Sequence, residues 1–179
     1  ARDVQLIVFD ERGAGNGLLL RAGPLREPLP SVLPERTLVL YNAPRPTTAL
    51  PGFVVRRWLA GVIELSRWWQ GERADRDGWQ ALRGRRLLAC AGTATPQRFF
   101  SMLEAQGLTF DARALPDHAD FTALPWPDDT ADVVLTEKDA VKIRPDRIGR
   151  TRIWVAPLDF DLDDTVSHAL AQWLPPPRP

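Results

Sequence analysis

The sequence predicts an α/β fold with a mostly parallel sheet flanked by helices. Three observations carry that prediction. Five short runs are apolar at consecutive rather than alternate positions, the pattern of strands covered on both faces. Segments with helical starts and stops lie between some of them. The resulting order of strand, helix, strand, helix is that of an α/β domain. With 179 residues, 44% of them hydrophobic, the chain suits one domain or two small ones and can build a real core.

The elements follow in chain order. Residues 4–9 (VQLIVF) and 37–41 (TLVLY) read as the first two strands. Residues 53–59 and 61–65 fit either a strand pair or one helix, because Arg56-Arg57 breaks the alternation. Residues 70–86 are charged, contain Gly71, Gly78 and Gly84, and read as a surface loop with one helical turn. Residues 87–91 (LLACA) form the third strand. A helix then starts at Thr95-Pro96, where Thr95 is placed to cap and Pro96 suits the first helical position. Its apolar stripe is Phe99, Phe100 and Leu103, and Gly107 offers a left-handed exit. Residues 110–115 alternate, and 133–135 and 153–155 are further buried strands. The last helix follows Asp163-Asp164-Thr165, buries Val166, Ala169, Leu170, Trp173 and Leu174, and ends at Pro175-Pro176-Pro177. The proline-rich stretches at 24–34 and 44–51 read as ordered connections or as a linker, and the second of them sets an expected boundary between residues 1–50 and 51–179.

Composition excludes several classes of function. The 23 Lys and Arg balance 23 Asp and Glu, which argues against a nucleic-acid binder held by bulk charge. A single cysteine, Cys90, allows neither an internal disulfide framework nor a cysteine-based metal site. No apolar run approaches bilayer length, and no basic-apolar leader opens the chain, so the expected setting is the reducing cytosol.

Ligands in open α/β sheets bind beyond the carboxyl ends of the strands. Asp10, Asn42, Gly92-Thr93 and Thr136-Glu137 follow strands, and 110–115 runs into Pro116-Asp117-His118. The loop after the first strand is the most unusual, with Gly13, Gly15 and Gly17 permitting left-handed backbone. It lacks the Gly-Lys-Ser/Thr ending of a P-loop. Arg26 has the fork to hold a phosphate at two points, and Glu27 can hold Mg²⁺ or a hydroxyl; a solvated surface loop with a local Arg–Glu pair is the other reading. His118, between Asp117 and Asp120, is either a general base or a surface histidine in a turn. His168 reads as surface. Only two of the 23 cations are lysines, and both, Lys138 and Lys142, fall in Thr136-Glu137-Lys138-Asp139-Ala140-Val141-Lys142. Thr136 with Asp139 suggests a capping box, and the lysines lie four apart on one helix face, which leaves a role for a compact ammonium and a pair of solvated lysines both open. The seven tryptophans and Cys90 read as packing residues.

Several of these segments resemble one family. Arg12 to Gly17, followed by Ala22-Gly23-Pro24-Leu25-Arg26-Glu27-Pro28, is similar to its loop running through GNG to PAGPLREP. Gly92 through Pro96-Gln97-Arg98-Phe99-Phe100 resembles GIGNPERFF, Pro116-Asp117-His118 with Phe121 resembles FPDHHPF, and Thr136 to Lys142 matches TEKDAVK. In that order they resemble tetraacyldisaccharide 4'-kinase, the bacterial lipid A kinase. Local departures are Arg21, Thr93, Thr95, Leu115, Ala119 and Asp120.

The resemblance implies a chain that begins midway, with the family's P-loop, N-terminal helix and Asp-Asp-Gly motif upstream of Ala1. Residues 1–50 would then be the remnant of a P-loop-kinase-like nucleotide-binding lobe with its substrate loop, and 51–179 a C-terminal α/β lobe with connecting strands. It implies His118 as catalytic residue, Asn16, Arg26 and Glu27 at the substrate and phosphate end, Glu27 toward Mg²⁺, and Glu137, Lys138 and Asp139 as accessories. ATP and Mg²⁺ are the implied cofactors, and a lipid A disaccharide precursor and the missing N-terminal lobe the implied partners. The implied setting is the cytoplasmic face of the bacterial inner membrane, through peripheral contact and without nucleic acid. The chain alone is expected to be inactive. The competing readings are a non-catalytic α/β binding or interaction module and a small sugar- or nucleotide-binding enzyme in its own right.

Overall fold

A computed structural model describes residues 3–116 and 119–174. In chain order the elements begin with β1 (Gln5–Phe9), β2 (Thr37–Tyr41), β3 (Phe53–Val54), β4 (Arg56–Leu59) and β5 (Ile63–Glu64). Two short helices follow, α1 (Leu65–Trp69) and α2 (Gly78–Leu82). Then come β6 (Leu87–Ala91), α3 (Pro96–Ala105), β7 (Phe110–Ala114), β8 (Asp132–Leu135) and α4 (Glu137–Ala140). The chain closes with β9 (Arg152–Val155), β10 (Leu158–Asp161) and α5 (Asp164–Trp173). It divides into two compact units, residues 1–57 with 160–179, and residues 58–159. Strands β4 and β10 pair as a separate two-stranded ribbon.

In the first unit β2 is the centre of a parallel sheet ordered β1-β2-β3, with Gln5 opposite Thr37 and Phe9 opposite Tyr41. All five residues of β2 are buried, as its unbroken apolar run requires. Val39 and Tyr41 face a cluster with Phe9 and Leu50, against which Ile7, Leu29 and Leu33 pack. Leu38 and Leu40 face the opposite way, into a cluster with Val55 and Val166 that Leu170 and Trp173 of α5 cover. The proline-rich stretches are therefore ordered, and through Leu29, Leu33 and Leu50 they serve as the cover a helix would otherwise supply. The buried Tyr41 hydroxyl donates to the Leu50 carbonyl at 2.7 Å.

Strand β1 departs from expectation. Leu6 and Val8 are 48% and 57% exposed, so one face of this strand is open, and among the described residues only β2 pairs with it. A consecutive apolar run signals the need for cover on two faces. It does not say that the cover lies within the same chain.

In the second unit five strands run in the order β5-β9-β8-β6-β7, with β6, β7, β8 and β9 parallel and β5 antiparallel to β9. Leu87, Ala89, Ala91 and Val134 face one cluster, which Phe99, Phe100 and Leu103 of α3 and Trp79 and Leu82 of α2 complete. Cys90, Val133, Leu135, Ile153 and Val155 face the other, with Leu65, Ala140 and Ile143. The expected α/β class and mostly parallel sheet are the observed ones.

Two local readings change, and one that was open is decided. Thr95 stands at the start of α3 but its side chain makes no capping hydrogen bond, so Pro96 alone pre-sets the first turn. Residues 70–86 hold α2, whose Trp79 and Leu82 belong to the core. Of the two readings of residues 53–65 the strand one holds, since β3, β4 and β5 are short strands that lead directly into α1. Gly107 leaves α3 with a φ of 77°, as its position required.

Candidate functional site

From β6 the chain passes through α3 to β7 on one side, and β8 then pairs with β6 on the other. The direction of winding reverses between β6 and β8, and the crevice outside their carboxyl ends is where such folds take ligands. Residues 92 and 136–142 sit there.

A carboxylate of the chain itself fills this crevice. Thr136 begins α4; its hydroxyl accepts from the Asp139 amide at 3.3 Å and donates to Asp139 Oδ2 at 2.8 Å. The same Oδ2 accepts from the Gly92 amide at 2.8 Å, tying the end of β8 to the end of β6. Asp139 is fully buried, and among the described residues its Oδ1 has no hydrogen-bond partner; the Lys142 ammonium lies 3.6 Å from it. Lys142 Nζ also donates to the Ala119 carbonyl at 3.0 Å and sits 5.7 Å above the Phe121 ring. Lys138 Nζ donates to the Gly92 carbonyl at 3.1 Å. The two lysines are thus built into the edge of the sheet, where their long stems end in a compact donor that reaches one carbonyl each. A Cβ on Gly92 would stand 2.8 Å from Asp139 Oδ1, which explains glycine at this position.

The segment after β7 is held on both sides of residues 117–118. Leu115 donates its amide to the Ala91 carbonyl at 2.9 Å, and the Ala119 amide reaches the Pro116 carbonyl at 3.2 Å. The Thr122 amide and hydroxyl both bond to Asp120, and they hold its carboxyl below the usual range. His118, the expected catalytic residue, lies with Asp117 outside the described residues.

Glu137 turns elsewhere. Its Oε1 accepts from the Trp68 indole N–H at 3.1 Å, on the wall of a cleft of about 580 Å³ that Trp58, Glu72 and Asp159 also line. No local sequence signal joins Trp68 to Glu137, 69 residues apart. Of the expected accessories, Lys138 and Asp139 converge on Gly92 and Glu137 does not.

In the first unit the loop after β1 is a frame closed by its own hydrogen bonds. Gly13, Gly15 and Gly17 donate to Asp10, Arg12 and Ala14, three turns in succession, each with its glycine left-handed at φ 55–72°. A Cβ on Gly13 would meet the Thr47 carbonyl at 2.5 Å. The Arg12 guanidinium bonds Asp10 Oδ2 at 2.7 and 2.9 Å, which raises its own pKa further. Asn16 has both ends of its amide engaged, Nδ2 donating to the Ala22 carbonyl at 2.8 Å and Oδ1 accepting from the Leu18 amide at 3.1 Å. Gly23 fits against it because a Cβ there would come within 2.2 Å of Asn16 Oδ1.

At the end of this frame Arg26 and Glu27 are exposed, and among the described residues neither forms an ion pair. The guanidinium fork and the carboxylate are both available to a ligand. No group of three or more His, Cys, Asp or Glu converges among the described residues, so there is no self-contained metal cage. One available carboxylate is the donor set that fits Mg²⁺ arriving on a nucleotide, since that ion keeps several waters and takes its other ligands from phosphate.

Cys90 and His168 agree with their sequence readings, and so do the tryptophans except Trp69, which is 45% exposed. Trp79 and Trp126 are core, and Arg76 lies 3.9 Å above Trp58. Cys90 is fully buried, and burial pushes its thiol up to about 12. His168 Nδ1 lies 2.8 Å from the Asp164 carbonyl on the exposed side of α5.

Comparison with known proteins adds an independent line. The family profile described as "Tetraacyldisaccharide-1-P 4'-kinase" matches residues 1–175. A tetraacyldisaccharide 4'-kinase of Methylibium petroleiphilum is 55% identical over 100% of this chain and 51% of its own length. One of Leptothrix cholodnii is 53% identical over 99% of this chain and 52% of its own length. The chain therefore spans about half the length of these curated relatives. Among solved structures, LpxK from Aquifex aeolicus, an "apo" form in complex with ATP, superposes with a TM-score of 0.66 at 19% identity, over 96% of this chain and 53% of that one. At that identity the likeness carries the fold alone.

Proposed function

The chain belongs to the tetraacyldisaccharide 4'-kinase family, and from that premise we propose that it is the C-terminal portion of a kinase acting in lipid A biosynthesis. The whole enzyme transfers the γ-phosphate of ATP to the 4'-hydroxyl of a tetraacyldisaccharide 1-phosphate, at the cytoplasmic face of the inner membrane. The observation that carries this reading is the loop after β1. It is held by hydrogen bonds to its own backbone, to Asp10 and from the Thr47 hydroxyl, and it leaves Arg26 and Glu27 adjacent, exposed and, among the described residues, without an ion pair.

In this reading the sugar 4'-oxygen attacks the γ-phosphorus in line with the departing ADP oxygen. The new P–O bond forms as the bond to the β-phosphate bridging oxygen breaks, and the hydroxyl proton passes to the imidazole of His118. An aspartate from the other half of the enzyme completes the pair with His118. Arg26 holds phosphate oxygens at two points, so that charge moving onto them meets a fixed cation. Glu27 supplies the carboxylate for Mg²⁺, which neutralises the nucleotide phosphates when bound. Asn16 shapes the loop that presents both. Gly92, Lys138 and Asp139 lock the sheet edge beside the segment that bears His118.

Phosphoryl transfer depends on positioning and charge neutralisation, and this sequence contains no P-loop. The test is ATP-dependent phosphorylation of the tetraacyldisaccharide 1-phosphate. The full-length protein is expected to turn over, and Arg26→Ala and His118→Ala to lower kcat by about 10²–10⁴-fold. The 179-residue chain alone is expected to show no turnover. Turnover by the chain alone would refute the half-enzyme reading. A full-length protein without phosphotransferase activity would favour a non-catalytic module instead.

A further inference from the structure

The frame that presents Arg26 and Glu27 also holds three consecutive leucines out in water. Leu18, Leu19 and Leu20 are 51%, 44% and 61% exposed. They are not on a floppy tip. Leu25 donates to the Leu18 carbonyl at 3.2 Å, Leu20 to the Leu25 carbonyl at 2.7 Å, and Ala22 and Gly23 both to the Leu19 carbonyl at 2.8 Å. The Asn16 amide braces the same stretch from the other side. Local hydrogen bonds fix the backbone that carries the leucines, and none of the three joins the core clusters of this unit. A rigid frame that keeps adjacent leucines in solvent is unfavourable in water and favourable only against an apolar partner.

The charges beside the leucines select the partner. Arg21 follows Leu20 directly and Arg26 lies across the Leu19–Leu25 bridge; both are exposed, and among the described residues neither forms an ion pair. Leucines flanked by two uncommitted guanidinium groups match an apolar layer edged with phosphate, which is the boundary of an anionic bilayer.

We propose that Leu18, Leu19 and Leu20, flanked by Arg21 and Arg26, form a bilayer-contact tip, with the leucines entering the acyl boundary and Arg21 meeting lipid phosphate. This deepens the lipid-kinase reading and rests on it for its purpose. It places the Arg26–Glu27 corner at the depth where a headgroup phosphate resides. No described helix is long and apolar enough to cross a membrane.

The experiment is vesicle partitioning of the 179-residue chain. Vesicles of phosphatidylcholine with phosphatidylglycerol are compared with pure phosphatidylcholine at low and high salt. The chain is expected to bind the anionic vesicles and to be released by salt. Replacing the three leucines by serine should reduce partitioning at least about tenfold, and Arg21→Ala about fivefold. Leu6→Gln with Val8→Thr, on the open face of β1, should leave partitioning unchanged and so controls for nonspecific adsorption. A second readout does not depend on the triple variant folding. Leu19→Cys, labelled with an environment-sensitive dye while the buried Cys90 stays unreactive, should shift to the blue on anionic vesicles.

Retained binding in the triple-serine chain together with an unshifted dye would overturn the proposal. So would a wild-type chain that ignores vesicles but self-associates through these leucines. Loss of kinase activity in the full-length protein would bear on the reaction and not on this partitioning, which separates failure of one from failure of the other.

Discussion

Gly92 shows how little freedom the sheet edge has. Its amide is bound by Asp139, its carbonyl by Lys138, and a methyl group there would press on Asp139 Oδ1 at 2.8 Å. Gly92→Ala is therefore expected to destabilise the chain by about 1–3 kcal/mol, read as a lower denaturant midpoint at unchanged slope. Cys90 makes a chemical prediction. A thiol raised to about 12 is protonated at pH 8, so iodoacetamide should leave it unmodified in the native chain and alkylate it fully in denaturant. At this scale the sequence was informative where the chemistry is local. The Thr136–Asp139 cap and the oddity of two lysines among arginines were visible in one segment. The targets of those lysines, the carbonyls of Gly92 and Ala119, lie 46 and 23 residues away and leave no mark on it.

The elements differ in how far their own residues define them. Helix α5 is well defined: Asp163 caps it, bonding to the Thr165 amide at 2.7 Å, and Val166 is fully buried against Leu38 and Leu40. Val166→Ala is expected to cost roughly 2 kcal/mol. Thr165 holds the Asp163 carboxyl below its usual range, so the charged cap stabilises the fold above about pH 4 and that contribution is lost as pH falls through the lowered value. The melting temperature of Asp163→Ala should therefore lie below the parent's at pH 7 and converge with it toward pH 2–3, while Asp163→Asn should stay near the parent at pH 7. Helix α2 was legible only as one helical turn in a surface loop, for the opposite reason. Its five residues are flanked by charges and glycines, and only the burial of Trp79 and Leu82 beneath the sheet distinguishes it from a loop. Strand β10 has four exposed residues and exists through its pairing with β4.

Each of the two units has apolar clusters on both faces of its sheet, yet the first leaves β1 with one open face and an unpaired edge among the described residues. Such an edge templates pairing with another chain. The isolated chain is expected to self-associate with rising concentration in sedimentation, and Leu6→Lys with Val8→Lys to suppress it; a parent chain that stays monomeric would contradict this. Read alone, the sequence determined the fold class, the parallel strands, the Thr136–Asp139 cap of α4 and the family, because these are written in short-range patterns of apolar spacing and in motifs that need no neighbour. The tertiary structure alone decided that Asp139 closes the crevice between β6 and β8, that Asn16 braces a loop while Arg26 and Glu27 stay uncommitted, and that three leucines stand in solvent. Those outcomes depend on which distant groups fold back within hydrogen-bonding or van der Waals reach, and a one-dimensional pattern does not encode that distance.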